Sequence, residues 1–196
     1  TAGTDCSVLG LLAYGKEHFT PYNTDLQPNS TQTLSWLQLE GNIHTYIPLG
    51  NKFVLGLRGK AVVSSKGLLS NYTSTLAQAP AFTPTPHSQT IFNPAFRSTQ
   101  YLAAGVIPIW KILNNLQFRN EFYLFAPFRQ IYEGANYEPY YGKAFTKYHF
   151  MGESSVVLNL SFASISLYAN YYDYPARNWN FGINIGLLVF SPKFLQ

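Results

Sequence analysis

The chain has 196 residues, 46% of them hydrophobic and 17% aromatic, but only 11% charged, with a formal net charge of +4. That length suits one domain with a sizeable core, yet the charge is less than half the roughly 25% of an ordinary soluble domain. A mean hydropathy of −0.06 without any run of about 18 apolar residues excludes a transmembrane helix; the scattered Lys and Arg exclude a nucleic-acid surface, and the lone Cys6 excludes an intrachain disulfide or a cysteine metal site.

In chain order, residues 6–14 read as a first apolar strand, and 15–32 as a polar loop with two prolines. A strand over 33–47 puts Leu37, Leu39, Gly41, Ile43, Thr45 and Ile47 on one face and Gln38, Glu40, Asn42, His44 and Tyr46 on the other, the two-residue alternation of a pleated strand. After a compact turn at 48–52, residues 53–65 repeat the scheme. Phe53, Leu55, Leu57, Gly59, Ala61 and Val63 alternate with Val54, Gly56, Arg58, Lys60, Val62 and Ser64. Residues 66–100 are the longest unpatterned segment, rich in Ser, Thr, Pro and Asn; loops of that length are usually functional or mobile.

A short strand at 101–107 and a turn at 108–115 lead to the clearest strand, 116–125. Its rows are Leu116, Phe118, Asn120, Phe122 and Leu124 against Gln117, Arg119, Glu121, Tyr123 and Phe125. A loop at about 127–147 follows. The sixth strand, 148–160, sets Phe150, Gly152, Ser154, Val156 and Leu158 opposite His149, Met151, Glu153, Ser155 and Asn159. A tight turn near Phe162 gives a seventh strand carrying Ile165, Leu167, Ala169 and Tyr171. A loop at 173–178 with Pro175 precedes the last strand, 179–190.

The apolar rows either pack a protein core or face lipid. Low charge, abundant Tyr and Phe, and connections that alternate long and short along the chain favour lipid, because outer-membrane barrels have short periplasmic turns and longer extracellular loops. The expected fold is all-β, an antiparallel transmembrane β-barrel with about eight strands in this chain. It is either closed or half of a sixteen-stranded barrel, with both chain ends on the periplasmic side. A soluble lipocalin-like barrel is the rival. Residues 1–196 form one outer-membrane barrel domain, either complete or the C-terminal part of a longer chain. The opening Thr1-Ala2-Gly3-Thr4-Asp5 is neither a signal peptide nor a lipid anchor, so export implies a leader already removed or more chain upstream.

Glu40, Arg58, Lys60, Arg119, Glu121 and Glu153 all fall on polar rows. Charges inside a narrow barrel must be solvated or paired. A closed eight-stranded barrel would bury them as a network among filling side chains, and half of a larger barrel would line a wider lumen with them.

Three stretches resemble one family: Asn93-Pro94-Ala95-Phe96-Arg97-Ser98-Thr99-Gln100-Tyr101-Leu102-Ala103-Ala104-Gly105, Phe118-Arg119-Asn120-Glu121-Phe122-Tyr123, and Tyr140-Tyr141-Gly142-Lys143-Ala144-Phe145. The family is the C-terminal surface-antigen barrel of the Omp85 superfamily, as fused to patatin-like phospholipases in Bacteroidetes. The resemblance covers most of the chain from about residue 33. It implies a membrane-anchoring and translocation domain of a Gram-negative outer membrane, with the lipid bilayer, lipopolysaccharide and the barrel-assembly machinery as partners. Another chain, or more of this one, would complete a sixteen-stranded barrel. It also implies that a long loop between two neighbouring strands enters the lumen, carrying a Val-Arg-Gly-aromatic motif whose arginine meets an acid on the wall. The 66–100 segment is the counterpart of that loop. Phe96 and Arg97 then stand at the motif, with Ser98 and Thr99 replacing its glycine and aromatic, and Arg97 is expected to contact Glu121.

No catalytic residue and no cofactor are expected in this chain. A patatin-type lipase needs a Gly-x-Ser-x-Gly elbow; Gly152-Glu153-Ser154-Ser155 lacks the closing glycine, so a lipase domain would lie upstream. A stand-alone eight-stranded barrel acting as a structural or binding protein is the second reading and a barrel lipid enzyme the third, with His149 and Ser155 as candidates, but six residues of strand separate them by roughly 20 Å. His18 and His87 fall in loops, and His44 reads as a hydrogen-bonded wall residue. No His, Cys or Asp spacing marks a metal site. The tyrosines from Tyr132 to Tyr141 are a ligand platform or interface packing. The tripeptides beginning at Asn29 and Asn71 match the glycosylation pattern, which has no meaning in a bacterial setting.

Overall fold

The computed structural model describes residues 2–21, 28–173 and 178–187. Among the described residues there are ten strands: β1 (Gly3–Phe19), β2 (Ser30–Pro48), β3 (Phe53–Ser64), β4 (Gln100–Lys111), β5 (Leu116–Pro127), β6 (Arg129–Glu133), β7 (Pro139–Ala144), β8 (His149–Asn159), β9 (Ala163–Tyr172) and β10 (Trp179–Leu187). Eight of them form one sheet in the order β1-β2-β3-β4-β5-β8-β9-β10, and β6-β7 is a separate hairpin. Every neighbouring pair in the sheet is antiparallel. β1 and β10 do not pair, so among the described residues the sheet is open at both edges and the closed alternative is not formed.

The alternation in the sequence becomes two faces with opposite chemistry. The outward row carries Val8 and Leu12, 85% and 82% exposed, Phe181 at 74% and Ile183 at 63%. Phe122, Leu124, Leu102 and Phe150 continue it across the centre of the sheet. The opposite row is the buried one. Tyr123 and Phe125 of β5, Tyr101 and Ile107 of β4, Met151 of β8 and Tyr172 of β9 lie in one cluster. A soluble sandwich would bury its apolar rows and expose its polar ones. Here the apolar outward row is exposed, and the row that also carries the charges is the covered one.

Two details show how the rows are held. Gly105 lies opposite Tyr123, and the tyrosine ring occupies the space that a Cβ on Gly105 would need. The same cross-strand arrangement sets Tyr168 over Gly182 of β10. On the outward row, Asn120 is buried and accepts a 2.6 Å hydrogen bond from Ser154 Oγ on the adjoining strand. An amide on an apolar face needs such a partner. Ser154→Ala is therefore expected to destabilise the fold by about 1–3 kcal/mol; an unchanged urea midpoint would show that Asn120 is satisfied without it.

Three boundaries differ from the sequence reading. β4 does not stop at Ile107 but continues through Pro108 to Lys111. Pro108 pairs with Leu55 on one side, and on the other the ladder to β5 is interrupted between Val106 and Ile109; the missing N–H falls in that gap. The presumed loop at 127–147 contains the β6-β7 hairpin, with Asn136, Tyr137 and Phe145 at positive φ. β1 is longer than expected by several residues at each end. Residues 188–190 of the expected last strand, Pro175, and residues 22–27 of the first loop lie outside the described residues.

Connections at one end of the sheet are short: 49–52, 112–115 and 160–162. At the other end β3 and β4 are joined by residues 65–99, which contain a helix, α1 (Tyr72–Gln78), and two 3-10 turns at His87–Gln89 and Pro94–Phe96. Asn71 caps α1 by accepting from the Thr73 and Ser74 amides. Leu76 and Ala79 pack with Ile131 of the hairpin, flanked by Tyr72 and Tyr141.

Candidate functional site

The buried face of the sheet and the 65–99 segment laid on it form the candidate site. The segment turns inward at a short antiparallel stem. Phe82 N donates to Phe96 O at 2.9 Å, Ser98 N donates to Pro80 O at 3.2 Å, and Ala81 bridges Arg97. Phe82 and Phe96 are almost completely buried and stand against Phe125, at ring separations of 6.1 and 5.6 Å. Tyr101 donates its hydroxyl to Ala81 O at 3.1 Å. Apolar burial thus draws in a segment in which the sequence shows no periodicity.

Beyond the stem the tip is polar. Arg58 Nη1 donates to Pro84 O at 2.9 Å. Arg58 lies six residues from the Ser64 end of β3, where the 65–99 segment leaves the sheet and which we call the mouth end, so the tip reaches roughly 20 Å along the sheet face. Thr85 is fully buried and closes a tight turn with Ser88, whose Oγ donates to Thr85 O at 2.6 Å. Tyr172 OH lies 2.9 Å from His87 Nδ1 and 3.5 Å from Thr85 Oγ1, and it accepts from Asn170 Nδ2 at 3.1 Å. Arg58→Met is expected to loosen the tip at a cost of about 1.5–3 kcal/mol, the range for a hydrogen bond to a charged group. Faster amide exchange confined to 83–88 would register it, and unchanged exchange there would show that Arg58 does not hold the tip.

Glu40, Arg58, Lys60, Arg119, Glu121 and Glu153 all lie on this inner row, three acids with three bases. Lys60 Nζ stands 2.7 Å from Glu40 Oε1, and Asn42 donates to the same oxygen at 3.3 Å. Arg119 Nε stands 2.6 Å from Glu121 Oε1, and Tyr123 donates its hydroxyl to Glu121 from the other side. Glu153 sits directly across the ladder from Glu121 on one side and from Asn170 on the other. Among the described residues, its Oε2 and the Oδ1 of Asn170 are buried without hydrogen-bond partners. His44 faces Arg58 across β2 and β3, with its ring 4.6 Å from that of Tyr46.

The expected Arg97–Glu121 contact is not formed. Arg97 Nη1 donates to Leu76 O, Ala77 O and Ala79 O, each at 3.2 Å, and its guanidinium lies 4.6 Å from the Phe92 ring. It caps the carbonyl end of α1, where a cation is favoured. The reason is depth. Glu121 lies six residues from the Pro127 end of β5, roughly 20 Å down the strand and beyond an arginine's reach. Phe96, the other motif position, is buried in the stem.

His149 and Ser155 remain apart. His149 Nδ1 is 2.9 Å from Asp173 Oδ2 and its Nε2 is 3.2 Å from Gln130 Oε1, tying the β6 hairpin to the mouth. Ser155 Oγ contacts Arg119 O at 3.5 Å. His18 pairs with Thr31 at 3.1 Å. Cys6 is exposed on the outward row of β1, and Tyr137 and Tyr140 are exposed near the hairpin tip. Among the described residues no group of three or more His, Cys, Asp or Glu side chains is placed to hold a metal.

No family model, curated protein or solved structure matches the chain. The functional reading therefore rests on geometry. Phe82, Thr85, His87 and Tyr172 carry the contacts of the tip, and sequence reasoning did not single out this set. The Thr-Pro-Thr-Pro-His run from Thr83 to His87, beside the lone apolar Phe82, was the available signal.

Proposed function

We propose that this chain is a wall of an outer-membrane β-barrel, serving as the membrane-anchoring and translocation domain of an Omp85-like, patatin-type protein. One observation carries the reading. An eight-stranded sheet exposes a continuous apolar row on one face and keeps its acids, bases and an inserted segment on the other. Exposed apolar patches larger than a few hundred Å² are rare on soluble monomers, and lipid is the solvent that suits this one. The inner row then bounds an aqueous lumen, and the 65–99 segment is a plug entering from the side of the long loops.

The open edges favour the larger barrel over a stand-alone eight-stranded one. Unpaired N–H and C=O groups cannot face hydrocarbon, so β1 and β10 must pair with strands outside this sheet. An even number of added strands preserves the antiparallel order. The resemblance in the three stretches quoted above supplies the rest of the proposal: a bacterial outer-membrane location, barrel-assembly machinery and lipopolysaccharide as partners, and any lipase chemistry in an upstream domain.

Isolation of the native polypeptide tests this reading. Recovery in the outer-membrane fraction, solubilisation only by detergent, and a gel mobility that shifts on boiling are expected. A monodisperse protein in buffer without detergent would overturn it.

A further inference from the structure

We propose that the plug tip is held by a proton-sensitive latch, in which the neutral imidazole of His87 keeps the segment docked and its protonation releases it. The inference rests on the reading of the inner face as a lumen, because release requires water to receive the tip.

The hydrogen bonds run in one direction. Asn170 Nδ2 donates to Tyr172 OH at 3.1 Å. The phenol has a single proton to give onward, and its short contact is His87 Nδ1 at 2.9 Å, against 3.5 Å for Thr85 Oγ1. With Thr85 at the longer distance, we assign that proton to the bond with His87, so that Nδ1 accepts and Nε2 carries the ring proton. His87 belongs to the segment, and Tyr172 and Asn170 belong to the wall strand β9, so this bond joins tip to wall. The ring also lies against Tyr168, with centroids 5.5 Å apart, and stacks on Tyr172 at 5.6 Å.

A second proton on the imidazole takes away the acceptor. The phenol is left with Thr85 at the longer distance, 3.5 Å, and the new charge is partly withdrawn from water. Among the described residues, the facing titratable groups from β9 are Tyr168 and Tyr172; from β8 the carboxylate is Glu153, across the ladder from Asn170; from β3 the charged group at the tip is Arg58, on Pro84 O; and from the segment itself Thr90, uncharged, bonds His87 O. Burial lowers the pKa of His87 from its ordinary value, and among the described residues no charged neighbour offsets it. The sign follows: the undocked tip binds the proton more readily, so docking weakens as pH falls below the free imidazole value of about 6.5 and keeps weakening down to the docked value.

A nitroxide on Gln89→Cys, in a Cys6→Ser background, reads the tip in the full chain, in detergent and in phospholipid vesicles. Gln89 is exposed and closes the turn that carries His87. In the wild-type sequence the mobile fraction should rise by up to about tenfold for each pH unit below about 6.5. His87→Gln retains an acceptor oxygen without a titrating charge and should stay immobile over the same range. Tyr172→Phe should be mobile throughout, with far-ultraviolet circular dichroism showing the sheet intact. A wild-type spectrum that does not change between about pH 8 and about pH 4.5, or a His87→Gln protein that loosens in parallel with it, overturns the latch. Vesicle flotation is scored separately. A protein that fails to float but still shows the pH response would lose the membrane reading and keep the latch.

Discussion

Arginine at Phe122 should prevent this protein from entering a bilayer, and arginine at Asn114 should not. Phe122 is in the middle of β5 on the outward row, 42% exposed, with Phe150 of β8 stacked beside it at 6.4 Å. In a lipid-facing position near the bilayer centre a single arginine costs about 2–4 kcal/mol. Asn114 is in the short turn between β4 and β5, where a charge meets water under either reading. The comparison has opposite signs for the two fold readings. If the outward row faced water, Phe122→Arg would cover an apolar patch with charge and improve solubility. Folding into vesicles followed by protease protection is the measurement. Equal protection of the two variants would remove the lipid reading.

The second large effect is expected inside. Phe82→Ala removes the ring on which the inward segment is seated. Phe82 is 1% exposed and touches Tyr101, Tyr123 and Phe125, at ring separations of 6.3, 5.7 and 6.1 Å. Truncation of a core phenylalanine costs about 3–5 kcal/mol. Here the loss should fall on docking of the segment more than on the sheet, whose strands are joined by their own ladders. Proteolysis between 83 and 95, with unchanged far-ultraviolet circular dichroism, is the expected pattern. Global unfolding instead would show that the segment is part of the fold's stability and not a separable insert. Arg97, capping α1 at the mouth, should hold its place in the first outcome.

The sheet was legible because each of its central strands states its two faces in alternate residues: Leu55 and Leu57 beside Arg58 and Lys60, Phe118 and Phe122 beside Arg119 and Glu121. The hairpin was not, since Tyr132, Tyr140 and Tyr141 alternate with nothing and its turn depends on Asn136 and Tyr137 in left-handed backbone. Pro108 marked a break where a strand continues, because only one of its two neighbouring ladders needs the missing N–H. The charges of the inner row could be placed by parity, but their pairing could not. Arg119 meets Glu121 along its own strand, and Lys60 meets Glu40 diagonally. The tip contacts were least accessible of all. His87 and Tyr172 are 85 residues apart, and no local pattern encodes a meeting at that distance.

That separation also orders events during folding. Sheet neighbours follow one another along the chain, except where β8 joins β5 past the small hairpin, so the wall can grow by successive local pairings. The anchor for Thr85 and His87 is not synthesised until β9. The contacts of Thr85 and His87 with Tyr172 can therefore form only after β9 is in place, later than the seating of Phe82 on β4 and β5.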